Sequence, residues 1–471
     1  MKAMDFQKRV TEYTEKNNMI DLNDEVVLGL SGGADSVALF FVLLEYRKIF
    51  AEKHNRELPM RCVYVHHMIR EDADRDVELV TKLCEKAGIP LSVEKCDVAA
   101  LAKAGSQTVE EAGRKVRYEI FQRYAALSGE KGHRGRIAVA HHMDDQAETV
   151  LFNLARGTGI SGLRGMRPVS GDIIRPLLCV TKAQILEYVE GLGAEYIVDY
   201  TNSDMTYSRN RLRNETIPSL RLINEKAVQH IAAAAESLSL AEDYLMRGVE
   251  KLYADVVEVG EYRGVREYHV FAEGFDNADP ALKDPLIGKL LADCAGSAKD
   301  IAKTHITGIR DLLEGDTGRS VNLPYGMTAY RVSDGVVLRI ADAGIIQQEP
   351  AFFLEVYDME DAPGISKDAS GNVKVSKKEC TKFFDYDKIN GCVHMRKVEA
   401  SDEMVIDSQG HRKRVNRIFI DMKIPAYRRE DCFAICDDED ILWIPGVRDA
   451  YICRVDENTK RVAVISVDMR D

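Results

Sequence analysis

The sequence predicts an open α/β domain on a parallel sheet, then a mainly helical domain and a small β-rich C-terminal domain. Through the first 220 residues short apolar runs alternate with helix-length segments, which implies parallel strands joined by right-handed crossovers. From about residue 224 to 313 the periodicity turns helical. The last ~80 residues carry short strand signals around one basic amphipathic segment. These shifts place boundaries at 1–220, 221–345, a linker at 346–390, and 391–471.

In order, "EVVLGL" is a strand that stops at a Gly-rich turn, and "SVALFFVLLEYRKIF" is a buried helix. "MRCVYVHH" is the second strand and "EDADRDVELVTKLCEKAG" an acidic helix after it. "LSVEKCDV", a helix over about 109–127, the strand "RIAVAHH" and a helix over about 144–156 complete the series. Ligands of such sheets sit beyond the carboxyl ends of the strands, which is where the polar motifs fall. "RGTGISGLRGM" is a glycine-rich stretch expected as a mobile loop over the site. Further on, "AVQHIAAAAESLSLAEDYLMRGVEKLYADV" fits one long helix with an Ala-rich face, followed by a short β element, "RSVNLPYGMTAYRVSDGVVLRIA". "YDMEDAPGISKDASGNVK" is charged and aperiodic, as a linker would be.

Composition narrows the function classes. At 471 residues and 45% hydrophobic content the chain can bury a large core, and no apolar run reaches membrane-spanning length. The start "MKAMDFQKRV" lacks a signal-peptide apolar region, so a soluble, cytoplasmic protein is expected. Ten cysteines form no C-x-x-C, which argues against a zinc or redox pair. A net charge of −13 argues against coating nucleic acid with the whole surface, yet two basic islands stand out. One lies between Met205 and Arg221; the other runs from His411 to Arg429 and includes Arg412, Lys413, Arg414 and Arg417. A polyanion would meet these islands, and the second is the better candidate for phosphate contact.

Ser31-Gly32-Gly33-Ala34-Asp35-Ser36 lies between the first strand and its helix. Glycines there allow positive φ and close backbone approach, so successive N–H groups and the helix start can cradle an anion. Neither the Walker A lysine nor G-x-G-x-x-G is present. A tight turn with Asp35 and Ser36 as helix caps fits these residues equally well. After a later strand, "HHMDDQAET" puts His141, His142, Asp144, Asp145 and Glu148 together. Asp35 and Asp145 are oxygen donors suited to Mg²⁺, with Asp145 the preferred catalytic acid and Asp144 its alternative. His67 and His142 are candidate nucleotide or phosphate contacts, with packing an equal alternative. Arg114 and Arg117 share one helical face, and Arg209 and Arg213 are i,i+4 if their segment is helical.

S-G-G-x-D-S in this position resembles the pyrophosphate loop of the N-type ATP pyrophosphatases, the PP-loop superfamily with its Rossmann-like sheet. "VHHMIREDADRD", "EEAGRKVRYEIF", "AHHMDDQAETVLFNLARGTGISGLRGMRP", "IIRPLL" and "DYTNSDMTYSRNRLRNETIPSL" narrow this. In that order they resemble the tRNA(Ile)-lysidine synthetase family through about residue 220, and more weakly through "NLPYG" and the final domain. The resemblance implies an ATP-dependent ligase that joins free L-lysine to C2 of the wobble cytidine in a CAU-anticodon isoleucine tRNA. It implies an adenylated tRNA intermediate, loss of pyrophosphate and then AMP, and decoding switched from AUG to AUA. It implies ATP at Ser31–Ser36, His67 and His142, catalytic roles for Asp35, Asp145, Arg114 and Arg209, and tRNA contacts at Arg209 and Arg213. A homodimer is left open. The alternatives are another tRNA-modifying enzyme of this superfamily, such as a thiolase, or a non-catalytic nucleotide- or RNA-binding protein. Ser401-Asp402-Glu403 departs from the family's Gly-Asp-Arg turn in the last domain, which puts contacts carried over to that turn in question.

Overall fold

The computed structural model describes residues 3–68, 73–105, 108–130, 132–197, 208–262, 264–340, 350–367, 373–375, 380–429 and 431–468. Parts of "VHHMIREDADRD" and "DYTNSDMTYSRNRLRN" therefore lie outside the described residues. The chain forms two compact units, Met1–Tyr244 and Leu245–Asp471.

The first unit opens with α1 (Ala3–Lys16), β1 (Asp24–Gly29), α2 (Ala34–His54), β2 (Met60–His66), α3 (Ala73–Ala87) and β3 (Leu91–Lys95). It continues with α4 (Val98–Ala104), α5 (Val109–Gly129), β4 (Arg134–Ala138), α6 (Met143–Ala155) and α7 (Ile160–Leu163). The strands β5 (Val169–Ser170) and β6 (Ile173–Ile174) precede α8 (Lys182–Gly191), α9 (Ser208–Arg211) and α10 (Ile217–Ile223). The sheet order is β3-β2-β1-β4-β6-β5, parallel except for β5. Because β1 lies between β2 and β4, the order reverses at β1, and the crevice beyond the β1 and β4 ends is the sheet's natural ligand site.

Both faces of β1 are covered, which is why it reads as a continuous apolar run. Val26, Leu28 and Leu30 pack in one cluster with Leu39 and Leu43 of α2 and Ile185 and Val189 of α8. Val27 packs with Ile120 and Phe121 of α5 on the other face. Each such fully buried side chain contributes roughly 1.5–3 kcal/mol. The opposite end of the sheet is clamped by ion pairs, Arg136 to Asp24 at 2.9 Å and Arg61 to Glu25 at 2.7 Å.

Leading into the second unit, α11 (Ala227–Val256) runs 30 residues. A five-stranded antiparallel sheet follows, ordered β7-β8-β11-β10-β9 from β7 (Val257–Tyr262), β8 (Val265–Phe271), β9 (Ser320–Asn322), β10 (Met327–Val332) and β11 (Gly335–Ile340). Between β8 and β9 lie α12 (Ala272–Asp276), α13 (Pro280–Ala295) and α14 (Lys303–Leu313). Leu286, Leu290, Ile309, Ala329 and Leu338 share one core there. The β7–β8 hairpin differs from the helical reading of 224–313. Burial in β8 breaks its alternation at Glu267 and Tyr268, and β7 exposes Glu258, Gly260 and Glu261, which hides the period in the sequence.

The stretch read as a linker also contains strands. These are β12 (Ala351–Asp358), β13 (Ile365–Lys367), β14 (Val373–Val375) and β15 (Thr381–Asp385). Among them β12 and β15 flank β22 (Arg461–Asp468), so the last domain draws on residues from 351 onward. Apolar Phe353, Leu354 and Val356 are exposed on β12, so the strand has no clean inside–outside alternation. The rest comprises β16 (His394–Lys397), β17 (Glu403–Val405), β18 (Arg412–Arg414), α15 (Val415–Asp421), α16 (Ala426–Arg429), β19 (Phe433–Cys436), β20 (Ile441–Ile444) and β21 (Arg448–Asp449). Trp443, Leu442, Ile435, Phe384 and Ile465 form its buried centre.

Within this unit α16 pins the last domain to the five-stranded sheet. Buried Glu267 of β8 accepts from Arg428 and from the Tyr427 hydroxyl at 3.3 Å. Arg428 lies 4.2 Å over the Tyr262 ring, and Tyr427 stacks on Tyr330 at 4.4 Å. The end of the basic segment thus has a structural use. Among the described residues, no helix is long and apolar enough to cross a membrane.

Candidate active site

The Gly-rich turn closes on itself. Gly32 has φ +81, and its carbonyl accepts the Ile197 amide at 2.9 Å, while a Cβ at Gly32 would sit 2.9 Å from Ile197 Cδ1. Both conditions demand glycine. The Ser36 hydroxyl donates to the Gly33 carbonyl at 3.0 Å and accepts the Ser31 amide at 3.1 Å, and the Ser31 and Ser36 hydroxyls meet at 3.1 Å. Ala34, Asp35 and Ser36 open α2, which has no side-chain cap, so Asp35 does not serve as its N-cap. The result is a rigid concave turn at a helix start, suited to anions.

Across the crevice, the turn after β4 begins α6. His142 is its N-cap residue and donates its amide to Asp145 Oδ2 at 3.0 Å. The buried His142 ring lies between the two loops, with Nε2 3.8 Å from Asp35 Oδ1 and 3.4 Å from Asp145 Oδ2. Asp35, His142 and Asp145 therefore form a single cluster. Asp144 plays another part. Its carboxylate accepts the Lys182 amide at 2.8 Å and Arg221 Nη2 at 2.6 Å, which ties α8 and α10 to the site.

Arg213, expected at the RNA backbone, is turned inward. It binds Glu148 at 2.6 and 3.1 Å and Asp145 Oδ1 at 3.1 Å. Burial raises the Glu148 carboxyl above its ordinary range even with Arg213 beside it. Burial would lower the Arg213 guanidinium, but the Glu148 bond, then Asp145 and Asp35, raise it on balance. His141 is pushed down to about 4, chiefly by burial and against the pull of Asp145, with Arg175, Arg114 and His142 adding to the fall. Its imidazole is thus neutral near pH 7.

The remaining expected residues fall around this centre. Arg114 stands in the first turns of α5 and lies 5.6 Å from the Tyr118 ring, close enough for its charge to act on His141. His67 pairs with Arg117 of α5 at 3.2 Å. Arg209 is half-buried in α9, four residues before Arg213. The loop expected to be mobile is held in place. Gln146 accepts the Met166 amide at 2.7 Å and donates to the Met166 and Arg164 carbonyls, and Arg167 pairs with Asp243 at 2.6 Å. In the last domain, Asp402 accepts two bonds of 2.8 Å from Arg396, so the Ser401–Glu403 departure keeps its central acid in use. Burial would raise the Asp402 carboxyl, but Arg396 and the Glu399 amide hold it below the usual range.

Two residues that contact the cluster were not singled out individually from the sequence. Lys182 Nζ lies 2.6 Å from Asp35 Oδ1, and Arg221 anchors Asp144. The signal for Lys182 was Thr181-Lys182-Ala183-Gln184, a capping box that starts a helix with a lysine. Among the described residues, no group of three or more His, Cys, Asp or Glu side chains could by itself hold a metal ion. Asp35 and Asp145 still supply two carboxylates, which suits an ion that keeps waters and takes phosphate oxygens.

A Gly-rich anion turn after β1 facing an acid cluster after β4, at the reversal of a parallel sheet, defines a PP-loop ATP-using enzyme. The PP-loop domain family matches residues 2–220, and the TilS substrate C-terminal domain family matches residues 393–465. The tRNA(Ile)-lysidine synthase of Caldanaerobacter subterraneus subsp. tengcongensis is 32% identical over 480 aligned positions, covering 98% of this chain and 99% of that protein. That of Clostridium acetobutylicum is 31% identical over 475, covering 98% and 99%. The chain belongs to the tRNA(Ile)-lysidine synthase family.

Proposed function

We propose that this chain uses ATP to join L-lysine to C2 of the wobble cytidine in the CAU-anticodon isoleucine tRNA, and that it works in the cytoplasm. The observation that carries this is the Asp35–His142–Asp145 line spanning the β1 and β4 loops in a chain that aligns end to end with lysidine synthases. Residues 1–220 do the chemistry in this reading, while 221–345 and the last domain hold tRNA.

The C2 oxygen of cytosine is a poor leaving group, so it is first adenylated at the expense of the α–β bond of ATP, releasing pyrophosphate. The lysine amine then displaces AMP. Ser31–Ser36 hold the departing phosphates through backbone N–H groups and the α2 start. Mg²⁺ fits the oxygen donors Asp35 and Asp145 and would supply charge neutralisation at the phosphates. Arg213 orients Asp145 and Glu148, Arg114 adds positive charge on the α5 side, and Arg209 is assigned to RNA.

Purified protein with ATP, magnesium, labelled lysine and the minor isoleucine tRNA is expected to put label into acid-precipitable RNA. Absence of label, or equal label in methionine tRNA, sinks the assignment.

Arg412, Lys413, Arg414 and Arg417 are assigned to phosphate contact. Each already has an acidic neighbour, Asp440, Asp421, Glu403 and Asp421 respectively. Surface pairs of this kind are worth about 0–1 kcal/mol and exchange readily for phosphate. Arg412→Glu with Arg414→Glu is expected to weaken tRNA binding and to reduce the slope of log K against log salt by roughly one to two. Filter binding at several salt concentrations checks it, and an unchanged slope rejects the patch.

A further inference from the structure

The Ser31–Ser36 loop offers amides and a helix start but no cation. From Val26 to Phe41 the sequence has neither lysine nor arginine, while Asp35 faces the same space. The γ phosphate of ATP alone carries roughly −1.5 to −2, so amides alone leave much of the charge uncompensated.

We propose that Lys182, 147 residues away in sequence, is the phosphate-binding cation of this loop, parked on Asp35 until the β and γ phosphates of ATP arrive. This rests on the reading of Ser31–Ser36 as the pyrophosphate cradle. The Nζ lies 2.6 Å from Asp35 Oδ1, at the mouth of the loop. Its stem is fixed and its head is not. Thr181 caps α8, the Gln184 side chain accepts the Thr181 amide at 2.9 Å, and the Lys182 amide is held by Asp144 at 2.8 Å. The side chain itself is 39% exposed. A part-exposed pair holds weakly, so the ammonium can exchange Asp35 for a more highly charged oxyanion. Its position also runs against local preference, since a cation in the first turn of a helix opposes the macrodipole. Local rules are broken most often where a site needs the residue. The pairing also keeps Asp35 from repelling phosphate before the ammonium moves.

The two partners have opposite expected signs, which separates binding from mere support. ATP, pyrophosphate and AMP are titrated calorimetrically into the full chain, with magnesium and again with EDTA. Lys182→Met is expected to weaken ATP and pyrophosphate by about ten-fold or more, as for loss of a charged hydrogen bond, and AMP by less than about two-fold. Lys182→Arg retains most of the affinity. In EDTA, Asp35→Asn is expected to tighten pyrophosphate binding, because it frees the ammonium and removes a like charge. Equal weakening of ATP and AMP by Lys182→Met, or unchanged ATP affinity, overturns the assignment of Lys182. A wild-type chain that binds no ATP under either condition overturns the reading of the loop itself.

Discussion

Asp145→Ala is expected to reduce lysine incorporation by at least about 10³-fold, the scale of losing a preorganised charge at a reacting centre. The residue has two structural bonds that must be separated from this effect. Its Oδ2 accepts the His142 amide at the start of α6, and its Oδ1 accepts Arg213. Loss of such a cap costs about 0.5–2 kcal/mol, visible as a lower urea midpoint but not as unfolding. Asp145→Asn keeps an acceptor for the His142 amide while removing the charge. A helix-capping role predicts nearly full activity for the asparagine variant, whereas a chemical role predicts that both variants fail alike. Incorporation above about a tenth of wild type in Asp145→Asn, with the fold intact, removes Asp145 from the chemistry.

The site was legible in the sequence where both partners of an interaction lie in one segment. Ser31–Ser36 and His141–Glu148 each sit on a strand-turn-helix whose signals are local, and the parallel sheet brings the two together through the β1–β4 pairing. Lys182, Arg213 and Arg221 were harder to place because what they touch lies 147, 68 and 77 residues away. Sequence spacing gave Arg209 and Arg213 one helical face but not its direction. A π-helical turn over Leu212–Thr216 follows α9, and Arg213 within it meets Asp145 and Glu148 of α6. Charge made the basic island at 411–429 visible, but not its division of labour. Arg428 is spent on Glu267 and Tyr262, while Arg412 and Arg414 stay on the surface. The β7–β8 hairpin was hidden for another reason, since exposed Glu258, Gly260 and Glu261 of β7 resemble loop, while β12 exposes apolar residues and has no clean alternation.

Arg213→Ala is expected to destabilise the first unit by about 2 kcal/mol at pH 8, besides abolishing activity. Removing one partner of a buried pair usually costs roughly 3–5 kcal/mol, but Arg213 is 40% exposed and its contribution is correspondingly screened. Its partner is not screened, because the Glu148 side chain is only 4% exposed. The sign of the pH dependence follows from Glu148. Its folded pKa already lies above the unfolded value, so its protonated form favours the fold, and stability from this group declines as pH rises from the unfolded pKa through the folded one. Without Arg213 the folded pKa rises further, so the variant's deficit should be smaller at pH 5 than at pH 8. Glu148→Gln placed on top of Arg213→Ala removes the stranded charge and is expected to recover stability at pH 8 without restoring incorporation. Urea denaturation of the wild type and these two variants at both pH values tests the scheme. A deficit for Arg213→Ala that is the same at pH 5 and pH 8, and that Glu148→Gln leaves unchanged, would mean that Arg213 supports the fold by packing rather than by holding Glu148 ionised.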